Sequence, residues 1–61
     1  MQGGIHMLEP GTRIEMTKGY RGIRGVIIER TGSEFEFYVV KLENGIHMVA
    51  GPSAFVVLEN D

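Results

Sequence analysis

Lys18, Tyr20, Arg21 and Arg24 stand in the stretch KGYRGIRG, residues 18–25, with Gly19, Gly22 and Gly25 at every third place. Residues 16–28 hold these three cations and no acid. Three cationic side chains could neutralise about three phosphates, which predicts a modest and strongly salt-dependent contact with RNA or DNA. Tyr20 among them could stack on an unpaired base, a contact of roughly 1–3 kcal/mol. The competing expectation is a solvated loop whose arginines pair with Glu15, Glu29 or Glu34 on adjoining strands, each exposed pair contributing about 0–1 kcal/mol.

Other residue types offer less. His6 and His47 are the only histidines, and no carboxylate has the spacing that would complete a metal site with them. Ser53 lacks the flanking glycines of a nucleophile elbow and has no His/Asp arrangement directed to it; after Pro52 its hydroxyl is expected to open a turn. No Gly-Lys-Ser/Thr follows the glycine-spaced stretch, so it is not a P-loop. No catalytic residue, metal ligand or cofactor is therefore assigned. A monomer of 61 residues is also expected to offer little room for a pocket of about 300 Å³ unless subunits build it jointly.

These side chains must be positioned by one small domain, which buries only about 60% of the surface its unfolded chain exposes. With no cysteine, neither disulfides nor thiolate zinc reinforce it, and a well-packed barrel or self-association takes that role in such domains. Six basic against eight acidic residues give a net charge of −2, which argues against a surface devoted as a whole to nucleic acid and leaves room for a local patch. No apolar run approaches the roughly 20 residues that cross a bilayer, and the expectation is a cytoplasmic protein without a membrane partner.

Residues 1–7, MQGGIHM, carry no charge and no period and read as a disordered leader or vector-derived segment; residues 59–61 read as a C-terminal tail. Between them, residues 8–58 read as short strands separated by turns. Thr12–Met16 alternates polar and apolar residues, Val26–Arg30 is rich in β-branched residues, Phe35–Leu42 is the strongest strand, and Glu43-Asn44-Gly45 is a hairpin signal of the Asn-Gly type. Ile46–Ala50 returns. Proline at 52 ends that strand, predicting a 3₁₀ turn over residues 51–54 and a last strand near residues 55–58. If Tyr38, Val40 and Leu42 point inward, Phe35, Phe37 and Val39 point outward, and Ile27 extends this outer patch. A second apolar face on one strand predicts a covered outer surface or a strand that bends to serve two packed sheets.

The stretch PGTRIEMTKGYRGIRGVIIER, residues 10–30, resembles the KOW motif, with its Gly turn, strand, G-x-x-G-x-x-G loop and aliphatic second strand; Gly11, Ile14, Gly19, Gly22, Gly25, Val26 and Ile28 carry the match. The resemblance implies a small all-β fold, a five-stranded SH3-like barrel, as in KOW domains of transcription elongation factors and large-subunit ribosomal proteins. The loop glycines are then architectural, permitting positive φ and close backbone approach. The same region is similar to the opening of type II dihydrofolate reductases, which assemble as tetramers around a pore. Where their pore segment carries glutamine and tyrosine, this chain has Ile46-His47-Met48-Val49, so only the precedent for self-assembly carries over. The leading expectation is a non-catalytic binding module that meets a protein or ribonucleoprotein partner, with Ile27, Phe35, Phe37 and Val39 at the interface and Lys18, Tyr20, Arg21 and Arg24 touching nucleic acid. The alternative is a homo-oligomer that binds a small molecule, or acts as an enzyme, between protomers.

Overall fold

A computed structural model describes residues 8–32 and 34–58. The leader and tail assigned from the sequence, and Ser33 of the expected turn, lie outside the described residues. Five strands form in chain order: β1 over Arg13–Met16, β2 over Arg24–Thr31, β3 over Phe37–Leu42, β4 over His47–Ala50 and β5 over Phe55–Val57, with a 3₁₀ turn over Pro52–Ala54 before β5. All pair antiparallel in one sheet of order β4-β3-β2-β1-β5. Among the described residues there is no α-helix, and no ladder joins β4 to β5.

Alternation fixes the core. Ile14 and Met16 of β1, Ile27 of β2, Tyr38, Val40 and Leu42 of β3, Ala50 of β4 and Phe55 of β5 are buried, and no charged or polar side chain among the described residues is buried with them. β3 and β5 lie three places apart in the sheet, roughly 14 Å if it were flat. Yet the rings of Tyr38 and Phe55 meet edge to face with centroids 6.1 Å apart. The sheet is therefore strongly curled, with the core on its concave side.

β2 enables that curl. Its pairing with β3 runs in register from Gly25↔Leu42 to Ile27↔Val40, then resumes at Glu29↔Val39, so Ile28 is an extra residue. Such a bulge bends the strand and increases its twist. Ile27, placed above on the outer patch, instead lies in the core at 1% exposure: it shares the inward phase of Gly25, alternation turns Ile28 outward, and the bulge resets the phase so that Glu29 pairs with Val39.

The β3–β4 connection also differs in detail from the Asn-Gly signal. A two-residue type I′ turn needs positive φ at both central residues, but only Gly45 has it here, at 91°. Gly45 N–H donates to the Leu42 carbonyl at 2.9 Å and Leu42 N–H to the Ile46 carbonyl at 2.8 Å. This is the three-residue hairpin in which a left-handed glycine completes the turn. Asn44 contributes its side-chain oxygen, which accepts from Ile46 N–H at 3.1 Å.

Candidate functional site

The loop between β1 and β2 is tied down at both sides, leaving its tip to solvent. The Ala54 carbonyl accepts from Thr17 N–H at 2.9 Å and Lys18 N–H at 3.2 Å, while Gly22 N–H donates to Met16 at 2.8 Å and Ile23 N–H to Tyr20 at 3.0 Å. Gly19 and Tyr20 both have positive φ, 67° and 53°. For a tyrosine this conformation costs about 1–2 kcal/mol, so the anchors hold Tyr20 in a place the residue would not choose. Its side chain is exposed, as are those of Lys18 and Arg21. Lys18 and Arg21 form no ion pair among the described residues.

Arg24 is placed differently. It opens β2 opposite Glu15 of β1, and its Nε lies 3.2 Å from Glu15 Oε1. Of the four residues expected to meet nucleic acid, three thus share the loop tip and one is engaged in a cross-strand ion pair. The glycines divide as well. Gly19 and Gly22 supply left-handed backbone, whereas a Cβ on Gly25 would sit 2.4 Å from the Lys41 carbonyl oxygen.

The convex face of the sheet carries the apolar set. Phe35 precedes β3 and is 66% exposed, and its ring lies 6.2 Å from that of Phe37, which is 40% exposed. Val39 follows on the same face, half-buried, opposite Val49 of β4. Val49 and the bulged Ile28 are both largely exposed. These two were missed in the sequence: Ile28 because nothing in Val26-Ile27-Ile28 marks which residue faces out, and Val49 because its outward phase is set by pairing with Val39.

Next to this set, the outward residues change from apolar to charged. Arg13, Val26, Lys41 and His47 are successive cross-strand partners over four strands, and His47 faces solvent. Here the surface dips into a groove of about 330 Å³ lined by Arg13, Arg24, Lys41, Glu43, Val26 and Leu58 among others. A single chain thus offers more room than its length led one to expect. Among the described residues, no group of three or more His, Cys, Asp or Glu is placed to hold a metal ion, and no helix is long and apolar enough to cross a membrane.

Among the described residues, Tyr38 is the one titratable group pressed into the core. Burial pushes its phenol above the ordinary 10.0, and the hydrogen bond it donates to the Glu36 carboxylate adds to the rise; the bond it accepts from Leu8 N–H opposes it. Its ring packs against Phe55, and its hydroxyl ties Leu8 and Glu36 to the core. Comparison of the chain with known protein families, curated proteins and solved structures finds no match.

Proposed function

We propose that the chain is a KOW-type, SH3-like barrel module that acts without catalysis, docking a protein or ribonucleoprotein partner on its convex sheet face. The single observation that carries this reading is the outward apolar set on β2, β3, β4 and the approach to β3, with Ile28, Phe35, Phe37 and Val49 exposed and Val39 half-buried among them. Contiguous apolar surface of this kind mark interaction sites in soluble proteins. The curled sheet, the bulge in β2 and the 3₁₀ turn before β5 support the barrel assignment. The loop tip of Lys18, Tyr20 and Arg21 adds a weak, salt-dependent contact to nucleic acid, with Arg24 contributing less because Glu15 already neutralises it.

The test is affinity capture with three baits: the native chain, the surface variant Phe37→Ser with Val49→Asp, and the loop variant Lys18→Glu with Arg21→Glu and Arg24→Glu. The docking reading expects one set of proteins retained by the native and loop baits and lost from the surface bait. Capture unchanged by the surface variant overturns it. Titration with single-stranded RNA and DNA at low salt tests the loop in parallel; equal affinity of native chain and loop variant removes the nucleic-acid contact. Sedimentation separates the module from the homo-oligomeric alternative, which requires assembly at micromolar concentration.

A further inference from the structure

We propose that the groove over Val26 is a binding site for a small organic oxyanion, a phosphate or carboxylate carried on an apolar body. The first support is size: at about 330 Å³ the groove reaches the lower end of the range for small-molecule sites, about 300–1,000 Å³. The second is charge. The chain has six basic residues and a net charge of −2, yet Arg13, Arg24 and Lys41 all line this one depression, against Glu43 as the one acid among the described residues there.

The arrangement follows from register. Arg13 of β1 and Lys41 of β3 are both partners of Val26, so they flank it from either side at about 4.8 Å per strand step. Lys41, on one flank of this small apolar residue, can reach an anionic group above it while Arg13 on the other flank adds to the positive field, and charge-assisted hydrogen bonds to such a group are about twice as strong as neutral ones. Arg24 does not compete for this position, because Glu15 holds it. Arg13 is itself engaged within the protein, which makes Lys41 the cation on which discrimination depends. The apolar part of the ligand has Val26 and Leu58 to cover, and Gly45 at the margin projects no side chain into the space.

The site is distinct from the loop tip and from the apolar convex set, and it stands whether or not those surfaces bind as proposed. The probe is phenyl phosphate, titrated into the isotopically labelled chain and followed by amide NMR, with phenol and inorganic phosphate as half-ligands. Saturable shifts are expected at Gly25, Val26, Leu42 and Gly45, with each half-ligand at least tenfold weaker. Lys41→Gln should weaken phenyl phosphate at least tenfold. Arg30→Gln, which removes the same charge from an exposed position at the far end of β2, should leave it unchanged. The proposal is overturned by the absence of saturable shifts at these amides, by equal weakening in both variants, by phenol binding as well as phenyl phosphate, or by shifts confined to residues 17–23.

Discussion

Replacing Gly25 with alanine tests how β2 is seated between its neighbours. The added methyl would lie 2.4 Å from the Lys41 carbonyl oxygen and 2.9 Å from Leu42 Cα. Both are backbone atoms, so no rotamer change clears them, and β2 and β3 must part where Gly25 pairs with Leu42 and Glu43 N–H donates to the Arg24 carbonyl. Overpacking costs about 1–3 kcal/mol, and backbone obstruction puts this case near the upper end, about 3 kcal/mol. A domain of this size has only about 3–9 kcal/mol in total. The melting temperature should therefore fall by about 12–24 °C, read by circular dichroism. Gly22→Ala is the matched control: nothing lies within 4 Å of its Cβ, and only its φ of 88° resists substitution, so it should cost about 1–2 kcal/mol. Asparagine, which tolerates left-handed backbone, should recover part of the loss at position 22 and none at position 25. Equal costs for the two alanines, or rescue by asparagine at 25, would refute the account of close strand approach.

Three further outcomes follow from the side-chain contacts. Because the folded phenol of Tyr38 is raised above 10.0, its stabilising contribution is intact below that value and is lost as pH climbs from there through the folded pKa; urea unfolding should show this alkaline loss, and Tyr38→Phe should flatten it. Asn44→Ala removes the exposed acceptor for Ile46 N–H and should cost about 0.5–1 kcal/mol in the same assay, whereas a null effect would mean that water replaces it fully. Glu15→Gln breaks an ion pair whose side chains are 54% and 35% exposed, so stability should change by no more than about 1 kcal/mol while low-salt affinity for single-stranded RNA rises as Arg24 is released; unchanged affinity would show that Arg24 faces no nucleic acid.

Much of the strand plan was legible because the chain punctuates itself. Pro10-Gly11, Glu43-Asn44-Gly45 and Gly51-Pro52 bound the segments, and Tyr38, Val40 and Leu42 announce the inward phase of β3 by being the bulky alternate set. The phase of β2 was not legible: Val26-Ile27-Ile28 is apolar throughout, and the register that settles the matter is a property of neighbouring strands together. For the same reason the candidate surfaces were visible only in part. The cations of the loop are neighbours in sequence, but the groove draws residues from three strands, the β3–β4 turn and the end of the chain beyond β5, and no local pattern records that they meet. Arg24 and Glu15 were among several equivalent pairings until register placed them opposite each other.

The order β4-β3-β2-β1-β5 also dictates a sequence of assembly. Every ladder but one joins consecutive strands and closes a short loop; β5 alone reaches back across the others to β1, where Met16 meets Phe55. Loop closure costs more entropy for longer spans, and β5 offers only three residues to offset it. The four-strand meander is thus the part that can form early, and β5 is the last to dock and the first to open. Phe55 is buried and Tyr38 packs against its ring, so each opening of β5 uncovers the core along one side. Amide exchange at residues 55–57 should then run ahead of that in β2 and β3, and the chain's exposure to proteases is set by this short strand rather than by its centre.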